Sequence, residues 1–214
     1  MAIFTFDPEG VRVWCNNIIE CLNGDFNSVK CCSKKLDEQL EILIQPNVWT
    51  GEAAYENYQK FLETHQSLLN FVNRFGIAFE ESMNEISRGV VNLESISEDN
   101  KNNFGRLSFS QISELSMLNV KKDVVTYDYV QISNVCFTLK SILLELEAIN
   151  NNMNKKLDEL NNGSGIWDGE AAENAKQLLS SILKNNMKIV FDNLNCCINN
   201  ISIAAENAKL VDRA

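Results

Sequence analysis

Only two prolines, Pro8 and Pro46, and nine glycines interrupt 214 residues. That is too little punctuation for many short strands joined by tight turns, so long helices are expected. There is a single histidine, His65, which excludes the multi-histidine sites that most zinc and acid–base chemistry would need. No apolar run approaches the ~18 residues of a membrane span; even Val135–Leu146 is interrupted by Lys140 and Glu145. The start, Met1-Ala-Ile-Phe-Thr-Phe-Asp7, has no basic segment and meets an acid early. It does not read as a signal peptide, and the protein is expected to be made in the cytoplasm without a cleaved leader. Basic residues are outnumbered, 19 against 29 acids, for a net charge of −10. Nucleic acids and anionic lipid surfaces are therefore excluded as partners, because phosphates are neutralised by clustered Lys and Arg. Seven cysteines is an odd number, and four of them form the adjacent pairs Cys31-Cys32 and Cys196-Cys197. Neighbours on one helix point about 100° apart, which suits a disulfide framework badly.

What is present is helical periodicity. From Val11 the chain steps through Trp14, Ile18, Cys21 or Leu22, a less regular turn near Phe26, then Val29, Cys32, Leu36 and Leu40. Spacings of three and four make this the apolar stripe of a core-facing helix. A longer run follows: Ala54, Tyr58, Phe61, His65, Leu68, Val72, Phe75, Phe79, Met83, Ile86, Val90 and Leu93. It predicts a helix of about 40 residues, roughly 60 Å long. Between the two lies Gln45-Pro-Asn-Val-Trp-Thr-Gly-Glu-Ala-Ala54. Pro46 ends the first helix, and Thr50 is expected to cap the second, with Glu52 in its first turn.

The plan then repeats. A stripe through Ile132, Val135, Leu139, Ile142 or Leu143, Leu146, Met153, Leu157 and Leu160 precedes a second turn. Beyond it a fourth stripe runs through Ala175, Leu179, Ile182, Ile189 or Val190, Leu194, Cys197, Ile201, Ala204 and Ala208. Trp49-Thr-Gly-Glu-Ala-Ala54 returns as Trp167-Asp-Gly-Glu-Ala-Ala172, and Lys34-Lys-Leu-Asp-Glu38 returns as Lys155-Lys-Leu-Asp-Glu159. The offsets, 118 and 121 residues, differ by close to one helical turn. Internal duplication explains both matches. Residues 1–94 are thus a first helical hairpin and 128–214 a second. Residues 95–127 are a connector, polar at its start, in which Phe109–Leu118 could form a short helix.

A lone Trp-x-Gly is a common tripeptide, but here it occurs twice, each time at the turn of a hairpin of long amphipathic helices. This arrangement resembles the WXG family, the ESAT-like helical hairpins exported by type VII secretion systems of Gram-positive bacteria, with two members fused head to tail. The resemblance implies an all-α fold in which two hairpins pack as an antiparallel four-helix bundle, a pseudo-dimer of repeats. It implies a secreted, non-enzymatic protein that works through helical protein–protein contacts with the secretion machinery, a helical effector or another WXG-type protein. The turn residues Trp49, Gly51, Trp167 and Gly169 would form half of a composite export signal. The family's other half, a Tyr followed four residues later by Asp or Glu, has no match at Tyr55, Tyr58, Tyr127 or Tyr129. An alternative of a different class stays open: a cytoplasmic adaptor or chaperone that binds the helical domain of a secreted effector.

The residues stand on their own physics as well. Trp at a hairpin turn covers the open end with a large apolar face, and Gly two residues later lets another backbone or ring approach closely. Catalytic chemistry finds little support. His65 falls on the apolar stripe between Phe61 and Leu68, as a packed or interfacial histidine does. Gly163-Ser164-Gly165 lacks the preceding strand of a nucleophile elbow. The cysteines lack Cys-x-x-Cys spacing, and Cys15, Cys21, Cys32, Cys136 and Cys197 sit on or beside apolar stripes, where Cys acts as a small hydrophobe. No catalytic, metal or cofactor site is expected.

Overall fold

Pro8 opens α1 (Pro8–Leu43, 36 residues), a position where its missing N–H would have no partner inside the helix anyway. The helix ends just before Gln45-Pro46, where a tight turn takes over: Val48 and Trp49 both donate to the Gln45 carbonyl, at 2.8 and 3.2 Å. A two-residue strand β1 (Trp49–Thr50) leads into α2 (Glu52–Glu94, 43 residues). A second short strand β2 (Thr126–Tyr127) precedes α3 (Tyr129–Asn161), and α4 (Glu170–Val211) follows. These elements come from a computed structural model, which describes residues 8–94, 111–113, 115, 117–161 and 170–211. The protein is predominantly helical, as the scarcity of proline and the long stripes predict. Trp167 and Gly169, and the first part of the connector, lie outside the described residues.

The chain forms two units, each drawing helix segments from both halves of the sequence: Met1–Ser28 with Val72–Gln111 and Ile149–Asn186, and Val29–Phe71 with Ile112–Ala148 and Met187–Ala214. In the first unit, Phe26 of α1 packs on Phe75 of α2 with ring centroids 5.9 Å apart, and Phe79 continues the stack at 6.0 Å. Asp25, nearly buried, accepts from Asn152 (3.0 Å) and from the Lys156 ammonium (3.1 Å), so a carboxylate removed from water keeps two polar partners from α3.

In the second unit the described contacts form a closed circuit of neighbours. Ser33 of α1 meets His65 of α2 (2.9 Å), and Lys35 of α1 pairs with Glu145 of α3 (2.9 Å). Thr64 of α2 touches Cys197 of α4 (3.7 Å), and the Cys136 thiol of α3 points at the Ile198 carbonyl of α4 (3.9 Å). Tyr129 of α3 lies under the Lys209 ammonium of α4 (5.4 Å), so α3 and α4 run antiparallel there.

The predicted stripes of α1, α2 and α3 are buried at the described side chains, from Leu22 to Leu40, from Ala54 to Met83 and from Ile132 to Met153. Leu69, ambiguous from periodicity, is fully buried. On α4 the predicted Leu194, Cys197 and Ile201 are buried too, and the stripe differs from expectation at its edges. Phe191, Ile198 and Ala205 are buried, whereas Ile189 faces outward and Ala204 and Ala208 are only half-covered. The physical reason is that α4 carries apolar residues on two faces, so spacing alone does not say which face meets the core.

Three thiols are packed as the stripes predict: Cys32, Cys136 and Cys197 are buried, while Cys31 and Cys196 are exposed. Burial pushes Cys32 up from the ordinary thiol range to about 11, helped by the nearby Glu145 carboxylate. Burial alone drives Cys136 to about 11, against the opposing Lys140 charge. The unfolded chain ionises these thiols above pH ~8.5–9 and the folded chain does not. The folded state then binds more protons, so stability falls as pH rises from about 9 and levels off above about 11. Denaturant titrations across this window should lose on the order of 2 kcal/mol per thiol, and Cys32→Ala and Cys136→Ala should each flatten the slope. A pH-independent midpoint between 9 and 11 would contradict the burial assignment.

Candidate functional site

The Trp49–Gly51 turn is built as a clamp. Its backbone conformation comes first: Gly51 has φ of +103°, a region closed to most L side chains. A Cβ at Gly51 would also meet Val125 Cγ2 at 3.2 Å and the Val125 Cα at 3.7 Å. Both functions expected of the glycine, turn and close approach, therefore fall on one residue. The approaching backbone is the connector.

The connector is tied to the turn at several points. β1 and β2 pair antiparallel, Trp49 opposite Tyr127 and Thr50 opposite Thr126. The Asp128 amide donates to the Val48 carbonyl (2.7 Å), and the Gly51 amide donates to the Lys121 carbonyl (2.8 Å). Thr50 Oγ1 donates to the Val124 carbonyl. Thr50 is thus not the helix cap expected from sequence. The first turn of α2 is instead opened by Gly51, whose carbonyl accepts from Tyr55 (3.1 Å), because the threonine hydroxyl is committed to the strap. At the other end Asp128 caps α3, its Oδ1 accepting from Val130 (3.1 Å) and Gln131 (3.0 Å).

Further back the strap lies along α2. Tyr58 OH accepts the Leu118 amide (3.0 Å) and Gln66 Oε1 accepts the Leu115 amide (2.9 Å). These side chains take amides that a helix over Phe109–Leu118 would need, and the described residues of that stretch, 111–113, 115 and 117–118, are not helical. Burial holds the Tyr58 phenol above its ordinary range, with the hydrogen bond from Leu118 opposing it and the Asp37 and Glu41 charges adding to it. Lys122 completes the strap, its ammonium 3.4 Å above the Tyr55 ring and 3.5 Å from Glu52.

Trp49 ends up with 0% of its surface exposed, its ring 5.8 Å from the Tyr127 ring. It lies at the turn between α1 and α2 and is itself covered. Its indole Nε1 has no hydrogen-bond partner, which costs about 1–3 kcal/mol, so the site is shaped for the ring and not for the N–H. Sequence reasoning missed Val125, Thr126 and Tyr127. The signal available was the run Val124-Val125-Thr126-Tyr127, β-branched and aromatic, immediately before a capping aspartate.

A second polar group lies deeper in the same unit. Ser33 Oγ is 2.9 Å from His65 Nε2, and His65 Nδ1 faces Asp37 Oδ1 at 3.2 Å without the alignment of a hydrogen bond. The connectivity is that of a Ser-His-Asp triad, but the chemistry is not supported. Ser33 and His65 are buried, and Ser33 lies within α1, where backbone amides are committed to carbonyls four residues back. Paired oxyanion donors are what such a nucleophile needs. The group reads as a polar pin fixing α1 against α2. Beside it a cavity of about 320 Å³ is lined by Ser33, Asp37, Leu40, Tyr58, Ile112 and Leu118. Among the described residues no group of three or more His, Cys, Asp or Glu side chains could hold a metal ion.

No protein-family model matches the chain, nor does any curated protein or solved structure.

Gly51→Ala should destabilise the protein by about 2–3 kcal/mol, the sum of a positive-φ cost and the Val125 contact. In Gly51→Ala/Val125→Ala the contact is relieved and the φ cost stays, so part of the loss should return in chemical denaturation. An unchanged midpoint for Gly51→Ala would contradict the clamp.

Proposed function

We propose that the chain is a tandem WXG-type protein, a non-enzymatic substrate of a type VII secretion system that acts through helical protein–protein contacts. On this reading its two hairpins complete each other as an antiparallel four-helix bundle, a dimer of repeats made within one chain. The observation that carries the proposal is the Trp-x-Gly turn, present twice in the sequence and, at Trp49–Gly51, joining helices of 36 and 43 residues. The circuit of neighbours α1–α2–α4–α3 in the second unit also supports it. Fusing two hairpins makes their docking intramolecular, with an effective concentration on the order of millimolar, so neither half waits for a partner.

The covered turn shapes what an export machine could read. Trp49 presents no surface, so recognition at this end would fall on the strap that covers it, including the exposed Met117, Val124 and Val125, or would need the strap to open.

A second reading, a cytoplasmic adaptor or chaperone for a helical effector, is favoured by one observation. The five cysteines whose side chains are described are all free thiols, and free thiols are at home in a reducing compartment.

The two readings separate in the native host. Export predicts the protein in culture supernatant when the secretion ATPase is intact and its retention in cells when that ATPase is deleted. Retention in both strains would contradict export. Because Trp49 is buried, Trp49→Ala would cost about 3–5 kcal/mol of stability, and a loss of export from it alone would be uninformative. The exposed change Val124→Lys tests recognition of the strap without opening the core.

A further inference from the structure

The outer surfaces of the helices in the second unit are unequal. On α1 residues 29–43 and α2 residues 52–71, no large apolar side chain is exposed. On α3, Val130, Phe137 and Leu144 stand exposed seven residues apart, Phe137 with 77% of its surface in solvent. On α4, Ile189, Cys196, Ile203 and Leu210 repeat the same spacing, again exposed. Both stripes lie on the side of their helix opposite the core residues. Residues seven apart along a helix keep almost one direction and form the seam of a left-handed helix–helix contact. The two seams run along the outer sides of neighbouring antiparallel helices.

We propose that this α3/α4 face is a self-association surface that takes a second copy of the same chain. Three observations favour a copy over a foreign helix. First, the exposed residues flanking the α4 seam include Asn193, Asn199, Asn200 and Asn207 beside the acids Asp192 and Glu206. An amide both donates and accepts, so it can pair with its own kind across an isologous contact, where like charges would repel. Second, the charges on these segments balance. With Glu145 engaged by Lys35, there remain Lys140, Lys188 and Lys209 against Glu147, Asp192 and Glu206. A chain of net charge −10 thus has here a face on which two copies meet without net repulsion. Third, the size suits a dimer. The seams run about 21 and 31 Å at 1.5 Å per residue, and two adjacent helices span about 20 Å. The footprint is on the order of 600 Å², near the ~800 Å² per partner of a stable interface.

This contact does not depend on secretion and leaves the buried core untouched. Sedimentation equilibrium of the full chain at about 100 μM, above the micromolar constants such an interface can reach, should give twice the chain mass. Phe137→Glu and Ile203→Glu should each weaken association at least about tenfold, with unchanged helical circular dichroism because both side chains already face solvent. Leu144→Glu is a third, independent variant should either one disturb folding. Lys60→Glu, on the outer side of α2, should leave the dimer intact. A monomer at this concentration would overturn the proposal, and so would a dimer that survives all three seam variants.

Discussion

A turn that contains a glycine at φ +103° and a fully buried tryptophan cannot be finished by its own two helices. At the end of a hairpin there is no next turn of helix to supply cover, and a large ring left there would face water. Here the cover is a strand from the connector, and its path is set by backbone groups more than by side chains. The amides of Gly51 and Asp128 and the carbonyls of Val48 and Lys121 find each other across the turn. The side chains of Thr50, Tyr58 and Gln66 take up what remains on the strap. Much of the second unit hangs from that clamp: it fixes where α3 begins, through the Asp128 cap, and so where Ile132, Val135 and Leu139 enter the core.

The helices themselves were legible because their information is local and repeated. Thirty to forty residues of three-and-four spacing leave little doubt about a helix or about its inward face, and α1, α2 and α3 follow that face at the described side chains. The turn residues Trp49 and Gly51 were legible for the same reason, as a short signal in a strong context. The strap was not. Its pairing joins residues more than 70 positions apart, and two-residue strands have no periodicity to detect. Thr50 illustrates the loss: next to a helix it has every feature of a cap, and only the distant Val124 carbonyl decides otherwise. On α4 the inward face was legible at Leu194, Cys197 and Ile201, and Phe191 and Ile198 were missed because a second apolar stripe runs along the same helix.

In the second unit that stripe also separates α3 and α4 from α1 and α2. There α1 and α2 expose no large apolar side chain, whereas α3 and α4 each keep an exposed apolar seam. Ser33, His65 and Asp37 hold α1 to α2, with Ser33 and His65 buried between the two helices.

The clamp on the Trp-x-Gly turn is the feature on which the rest depends, and amide hydrogen exchange reads it directly. The Gly51 and Asp128 amides should exchange as slowly as the amides in the first half of α2, because both are donated to carbonyls across the turn. Exchange of these two amides at open-chain rates, with α2 still protected, would mean that the connector does not cover the turn and would contradict the account.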